Sequence, residues 1–131
     1  MSLPSRRTTN AGRVRSGIER AEQREWPTHR KWVRGFNCIV CEAERIYQGD
    51  PTEFAHARRG ADGAMAVKPH DCFGLPLCGL HHEEQHNVGE VTFASRHPIA
   101  FRGKSMKAKA LEFARQSPVT EVRERARRES V

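Results

Sequence analysis

The sequence predicts a small α+β domain that is stabilised by a bound metal ion and flanked by basic arms, helical or disordered. The chain has 131 residues, of which 37% are hydrophobic, and its aromatic residues are six Phe, two Trp and one Tyr. A core built from so little apolar material is marginal without further support. Four cysteines and seven histidines offer that support as metal ligands. Structural zinc contributes about 10 kcal/mol or more to the folding of small domains.

Charge is unevenly divided along the chain. Residues 1–34 and 96–131 each carry a net charge of +6, whereas residues 35–95 carry −5 and hold all four cysteines and five of the seven histidines. Basic segments set apart from an acidic centre indicate a polyanionic partner, most readily DNA. We therefore expect a basic, partly disordered arm over 1–27, a metal-braced domain over 28–100 and a basic helical arm over 101–131.

The cysteines also bear on the cellular compartment. The chain has no run of about 18 apolar residues and no apolar segment behind its N-terminal arginines, so we expect neither a membrane span nor a secretory signal. Without export, cysteines in a short chain are better read as metal ligands than as disulfides. The expected location is a reducing cytoplasm.

Hydrophobic spacing and punctuating residues predict the order of the elements. Gly35 ends a first short helix, and glycines with Pro69 mark a loop over 60–69. Gly89 is the expected C-terminal cap of a helix that begins near Cys78. The predicted helices cover residues 28–34, 78–87, 90–97 and 106–114, and the predicted strands cover 52–59 and 72–77.

Two ligand pairs with metal-binding spacing occur on separate segments, Cys38-x2-Cys41 and Cys78-x2-His81. Each pair can bind one ion, and four thiolate and imidazole ligands form the closed tetrahedral set of structural zinc. Cys72 competes with His81 for the fourth position, but its spacing from Cys78 suits chelation poorly. We expect Cys72 to be a buried free thiol.

His82 and His86 form a second histidine cluster beside the first. Residues four apart lie on the same side of a helix, so these two imidazoles can share a metal ion, while His81 lies about 100° around the helix. The segment also matches H-E-x-x-H, in which Glu83 would be the general base of a zinc protease. No suitable third ligand follows in the sequence, so a protease is the weaker interpretation.

Upstream, the residues from Glu53 to Arg58 alternate as in a strand, which puts His56 and Arg58 on one face. A neutral imidazole at His56 could take a proton from water, and Arg58 could hold a phosphate. Asp71 could orient His56 or complete a metal shell.

These motifs occur in the order C-x2-C, Ala-His-x-Arg, Lys-Pro-x-Asp and Pro-Leu-Cys-x2-His-His-x3-His. This order resembles phage-type HNH nucleases, in particular the recombination-associated group typified by the RecA-dependent nuclease Ref, over about residues 29–100. The resemblance implies a ββα-metal (His-Me finger) core with a zinc knuckle. It implies structural zinc on Cys38, Cys41, Cys78 and His81, a general base at His56, and a catalytic ion on His82 and His86. Many HNH enzymes have a further metal ligand directly before the general base, where this chain has Ala55; Asp71, His70 or water would then complete the shell.

The implied activity is a metal-dependent endonuclease that leaves 5′-phosphate ends, with Mg²⁺ or Mn²⁺ as the first choice and Zn²⁺ or Ni²⁺ also suited to paired imidazoles. Arg58, Arg59 and Lys68 are the expected phosphate contacts, and a recombinase is a possible partner. A phage-encoded protein would act in the host cytoplasm. The alternatives are a non-catalytic zinc module that binds nucleic acid and the zinc protease.

Overall fold

A computed structural model describes residues 22–63 and 67–129 of the chain. The predicted disorder of residues 1–15 lies outside these ranges. The described part is a mixed α+β structure, as predicted, with seven helices and one two-stranded sheet. In chain order the elements are α1 (Pro27–Arg34), α2 (Ile39–Glu44), β1 (Thr52–His56), a 3-10 turn (Asp71–Phe73), β2 (Gly74–Cys78), α3 (Gly79–Val88), α4 (Glu90–Arg96), α5 (Pro98–Phe101), α6 (Met106–Ala114) and α7 (Thr120–Arg127).

The sheet is an antiparallel hairpin in which Thr52 pairs with Cys78 and His56 with Gly74. A Cβ atom at Gly74 would lie 1.9 Å from the ring of Phe54, so only glycine lets that ring cross the neighbouring strand. α3 begins at the residue after β2 ends, which gives the local order strand, strand, helix. The start of β1 and the end of β2 therefore lie beside the start of α3, whereas His56 lies at the opposite end of the hairpin.

The bounds of both predicted strands differ from those in the structure. β1 stops at His56, so Arg58 lies in the exposed turn that follows and does not share a strand face with His56. β2 begins at Gly74, because Asp71 to Phe73 form a 3-10 turn in which the His70 ring accepts a hydrogen bond from the Cys72 backbone N–H. Cys72 therefore lies in this turn and not in mid-strand. The helix over 106–114 is confirmed.

The core consists of two adjoining hydrophobic clusters. The first surrounds β2 and includes Leu75, Leu77, Phe93, Phe101 and Met106, all almost fully buried. The second joins the 3-10 turn to the two C-terminal helices, with Cys72, Phe73, Leu111, Val122 and Ala126 as its main members. The C-terminal segment, predicted as a basic helical arm over 101–131, thus packs against the rest of the structure. Within the described ranges, no helix is long and apolar enough to cross a membrane.

Candidate functional site

Three cysteines and one histidine converge in the interior. Cys38 precedes α2 and Cys41 lies in its first turn, while Cys78 ends β2 and His81 lies in the first turn of α3. All four side chains are buried, and their ligand atoms lie within 4.8 Å of one another. The predicted convergence of the two ligand pairs is confirmed, and the group could hold a metal ion such as zinc.

The distances within this group fit a tetrahedron. With metal–sulfur bonds of 2.3 Å and metal–nitrogen bonds of 2.0–2.1 Å, tetrahedral zinc separates two sulfurs by about 3.8 Å and a sulfur from a nitrogen by about 3.6 Å. Here Cys41 Sγ lies 3.8 Å from Cys78 Sγ. His81 Nδ1 lies 3.5, 3.6 and 3.3 Å from the sulfurs of Cys38, Cys41 and Cys78.

The electrostatics of the group depend on whether a cation is bound. Burial raises the pKa of the Cys41 thiol to about 12 when no cation is present. A divalent ion reverses this shift because its ligand is the thiolate, and binding then releases protons. The donor set and its spacing therefore fit zinc, which would be fully enclosed by protein ligands.

A network of carboxylates lies behind His81. The buried His97 bridges two helices, with its Nδ1 2.6 Å from Glu44 of α2 and its Nε2 2.9 Å from Glu84 of α3. Burial lowers the pKa of His97, but the hydrogen bonds that its ring donates to the two carboxylates outweigh burial and raise the pKa overall. The rings of His81 and His97 meet edge to face at 5.3 Å. His97 was not predicted as a site residue, because a single histidine at a helix end has no spacing pattern to identify it.

His82 and His86 lie on the other side of α3, and their Nε2 atoms are 3.2 Å apart. Two imidazole nitrogens at this separation can bind one cation, since two metal–nitrogen bonds of 2.0–2.1 Å at tetrahedral or square angles span about 2.8–3.4 Å. Glu53 of β1 accepts a hydrogen bond from His82 Nδ1 at 2.7 Å, which leaves the Nε2 lone pair facing His86. A carboxylate that fixes the tautomer of a ligating histidine is a common outer partner of metal sites.

His56 belongs to a third group, around Asp71. Asp71 is fully buried and accepts hydrogen bonds from His56 Nε2 at 2.9 Å, from the Trp26 backbone N–H at 2.7 Å and from two nitrogens of Arg30. Burial alone would raise the pKa of Asp71, but the bonds from His56, Arg30 and Trp26 outweigh it and lower the pKa to about 2. Asp71 therefore orients His56 and leaves its Nδ1 as the basic nitrogen.

The predicted catalytic residues are only partly brought together. Side chains alternate along β1, so His56 leaves the sheet on the face of Phe54, whereas Glu53 leaves it on the face of Ala55. Across the described residues, no hydrogen bond links His56 to His82 or His86, and no third Cys, His, Asp or Glu lies within 4.8 Å of both His82 and His86. The idea that Asp71 completes a metal shell with these histidines is wrong, because both of its oxygens are already engaged.

The predicted phosphate contacts also divide between two places. Arg58 and Arg59 line a cavity of about 410 Å³ together with His86. Lys68 is exposed, and its carbonyl accepts a hydrogen bond from Arg24. The residue that sequence reasoning missed at the histidine pair is Glu53. It lies two positions before Ala55 on the same strand face, which the alternation of β1 indicates, but its approach to His82 depends on the pairing of the two strands.

A family described as "Protein of unknown function (DUF968)" matches residues 17–114. The chain belongs to this family. The DUF968 match spans all four residues of the thiol and imidazole group and both His82 and His86.

A curated relative is the "Uncharacterized protein YdfU" of Escherichia coli (strain K12), which is 35% identical over 87 residues. The alignment covers 62% of this chain but only 23% of YdfU, so the chain spans about a quarter of that relative's length. No solved structure matches the chain.

Proposed function

We propose that this chain is a metal-dependent nuclease that hydrolyses phosphodiester bonds of nucleic acid, with DNA as the first substrate to test. The observation that carries the proposal is the junction between the hairpin and α3. There Glu53 of the first strand bonds His82 of the helix, and His82 faces His86 at 3.2 Å. The order strand, strand, helix with a histidine pair at the junction is the arrangement of the ββα-metal nucleases that the sequence resembles.

The donor set at this junction suits a divalent ion. His82 and His86 would hold the ion through their Nε2 atoms, and Glu53 would keep His82 in the required tautomer. Mg²⁺ or Mn²⁺ is proposed by analogy with the nucleases, although two imidazoles also suit Zn²⁺ or Ni²⁺. When bound, such an ion would stabilise the extra negative charge of the pentavalent phosphate.

His56 would act as the general base. Its Nε2–H donates to Asp71, and its Nδ1 can accept a proton from the attacking water. The water oxygen then forms a bond to phosphorus as the bond to the 3′-oxygen breaks. The departing 3′-oxygen takes a proton from solvent, which gives a 5′-phosphate and a 3′-hydroxyl. His56 must approach the scissile phosphate from the side of β1 opposite to Glu53, so the substrate would have to reach the end of the strand. Arg58, in the turn just beyond His56, is the proposed phosphate contact there.

The first prediction tests this assignment with supercoiled plasmid and single-stranded DNA across a series of divalent metals. We expect the full-length protein to nick DNA, and His82→Ala and His56→Ala each to lower the rate by at least ~100-fold, the scale for losing a positioned base. Zinc content should stay at the wild-type level in both variants, because neither residue belongs to the buried group. Glu83→Gln is the matched control: it lies between the two histidines, is exposed, and should cut at the wild-type rate.

A second candidate function is a non-catalytic zinc module that binds nucleic acid. It is favoured by the contacts of His56, since a histidine bonded to a buried carboxylate that also holds Arg30 has a sufficient structural reason to be present. If wild-type protein cuts no DNA or RNA under any metal while still binding it, this candidate replaces the nuclease. The weaker protease interpretation would be supported only if Glu83→Gln abolished a peptide-cleaving activity. Association with a recombinase remains a proposal drawn from the sequence resemblance.

A further inference from the structure

Two adjoining cavities form a groove along α4. The smaller, of about 410 Å³, lies beside His86, and the larger, of about 560 Å³, lies between α4 and the start of α6. Arg59, Glu90 and Val91 line both cavities, so the two are neighbours along one surface. We call this surface the α4 groove. It leads from the histidine pair to the basic C-terminal segment.

The charge of the α4 groove is positive. Arg58 lies at the end near His86, Arg59 lies where the two cavities meet, and Lys104 and Lys107 lie at the other end. The one acid that lines it is Glu90, whose carboxylate accepts hydrogen bonds from the backbone N–H groups of Arg58 and Arg59 at 2.6 and 3.2 Å. The Glu90 carboxylate thus holds the backbone turn at Arg58 and Arg59, and its negative charge is directed at these N–H groups and not at a bound anion.

Both lysines of the groove have acidic neighbours. Lys104 Nζ lies 2.7 Å from Glu112, a pair that is well exposed, and Lys107 Nζ lies 3.6 Å from Glu129. The Lys104–Glu112 pair is exposed, and exposed ion pairs contribute little to stability. A phosphate can therefore replace Glu112 at small cost, and Lys104 keeps its attraction for a polyanion.

Part of the wall of the α4 groove is formed by glycines, which have no side chain. Within the described ranges, Gly60, Gly89 and Gly103 are the glycines with positive φ, between +79° and +86°, and all three line the groove. A Cβ atom at Gly89 or Gly103 would meet nothing within 4 Å, so no neighbouring side chain fills this space. Glycine at these turns leaves room for a chain-like ligand to approach the backbone closely.

A buried polar group also faces the groove region. Gln85 lines the smaller cavity and is only 6% exposed, yet no described residue makes a hydrogen bond to its Oε1 atom. Buried polar atoms in folded proteins are nearly always paired. An amide can both donate and accept, which matches the hydrogen-bonding edge of a nucleic-acid base.

The floor of the larger cavity is apolar. Val91, Ala94, Pro98 and Met106 line it, and Val91 is 60% exposed. A basic rim over an apolar floor suits a ligand with both anionic and apolar parts. An unpaired strand has both, since its phosphates are charged and its base faces are free, whereas a duplex conceals its base faces by stacking.

We infer that the α4 groove binds one unpaired strand of nucleic acid and leads it to the histidine pair. Its phosphates contact Arg58, Arg59, Lys104 and Lys107, its bases lie on the apolar floor, and one base edge bonds Gln85. The inference deepens the proposed function and rests on it for the choice of polyanion. Binding can nevertheless be measured without cleavage.

The second prediction tests the groove with a fluorescein-labelled single-stranded oligonucleotide and its duplex, bound to full-length zinc-loaded protein with no other divalent metal added. Fluorescence anisotropy over a range of salt concentrations should show tighter binding of the single strand. Arg59→Gln and Lys104→Gln should each reduce the log–log salt slope by about 0.7, the value for one phosphate contact on a single strand. Lys31→Gln on α1 makes the same charge change outside the groove and should leave the slope unchanged.

Two further variants separate base contacts from phosphate contacts. Val91→Ser should weaken single-strand binding at every salt concentration without changing the slope. Gln85→Met should weaken it by roughly 2- to 10-fold, the range for one lost hydrogen bond. The melting temperature of Gln85→Met should equal or exceed that of the wild type, because the variant removes an unpaired buried oxygen; a purely structural glutamine would give a lower one.

The experiments can contradict the proposed groove and the proposed nuclease activity independently of each other. Equal binding of single strand and duplex, or unchanged salt slopes in Arg59→Gln and Lys104→Gln, would overturn the groove even if the protein cuts DNA. Reduced slopes in those variants together with no cleavage under any metal would support the groove and overturn the nuclease.

Discussion

At the scale of single residues, Asp71 does more for the structure than its position after a loop suggested. It connects the N-terminal segment to the hairpin through Trp26, Arg30 and His56, and none of its surface is exposed. A buried carboxylate that accepts hydrogen bonds from several charged and N–H donors contributes to folding stability. Much of that contribution is lost when one of its oxygen atoms is replaced.

The third prediction follows from this carboxylate. Asp71→Asn should lower the free energy of unfolding at pH 7 by about 3 kcal/mol, because it leaves Arg30 without its buried partner. The folded pKa of Asp71, about 2, lies below the ordinary value of an aspartate. Its stabilisation is therefore present above that ordinary value, near pH 4, and is lost as the pH falls towards 2.

Urea denaturation of the wild type and Asp71→Asn between pH 7 and pH 2 measures the difference in their free energies of unfolding. A metal ion held by the cysteines and His81 would be lost from both proteins in acid, so only the difference between them is diagnostic. Asp50→Asn, at an exposed aspartate, should differ little from the wild type. A gap between wild type and Asp71→Asn that stays constant down to pH 2 would contradict the assigned pKa shift.

At the scale of elements, α3 presents adjacent histidines to two different surroundings. His81 points inward to three cysteines, whereas His82 points to Glu53 on the sheet and to His86 one turn along. This division was predictable from the sequence, because neighbouring helical residues lie about 100° apart and the C-x2-H spacing selects His81. The partner on β1 was not predicted, since strand pairing that brings Glu53 to α3 depends on the register of a loop-connected hairpin.

The fourth prediction concerns Glu53. Glu53→Gln keeps the shape of the side chain but weakens its hold on the His82 tautomer, so metal binding by the histidine pair should weaken 10- to 100-fold. Paramagnetic broadening of the His82 and His86 imidazole resonances during a Mn²⁺ titration reports this binding without an activity assay. Glu83→Gln should titrate like the wild type, and equal broadening in Glu53→Gln would show that the carboxylate does not support a metal site.

The 3-10 turn before β2 shows why element boundaries were harder to predict than element order. Alternating apolar residues from Cys72 onward suit a strand, but the His70 ring bonds the Cys72 backbone and holds the chain in a turn. Local side-chain bonds of this kind compete with sheet pairing and do not appear in hydrophobic patterns. Arg58 was placed on β1 for a similar reason, although Glu90 from α4 holds the backbone there in a turn.

At the scale of the whole molecule, the buried group formed by Cys38, Cys41, Cys78 and His81 adjoins the first of the two hydrophobic clusters. The first cluster includes the three cysteines of the group, so loss of a ligand would disturb the packing of β2 and α4 as well. The second cluster is separate and contains Cys72, which is buried and takes no part in the group. The sequence predicted the ligands well because their spacing is local, but it did not predict how closely α7 packs, since that segment is rich in charged residues.

The fifth prediction addresses the metal directly. Elemental analysis should find about one zinc per chain, and Cys38→Ser or Cys78→Ser should yield insoluble or molten protein without bound zinc. Cys72→Ala removes a thiol of similar burial and should keep both the zinc and a cooperative thermal transition. Zinc-free wild-type protein that unfolds cooperatively would show that the four ligands are only a packed cluster.

The wide sequence separation between the ligand pairs affects how the chain folds. Cys38 and Cys41 are only three positions apart in the sequence, so an unfolded chain can bind zinc through both thiolates at once. Cys78 and His81 lie about 40 positions further on, and the ion can recruit them only by closing that loop. Loop closure costs entropy, which slows the step that joins the two halves of the site. Zinc uptake should therefore be biphasic, with a fast two-ligand complex preceding the slower formation of β2 and α3.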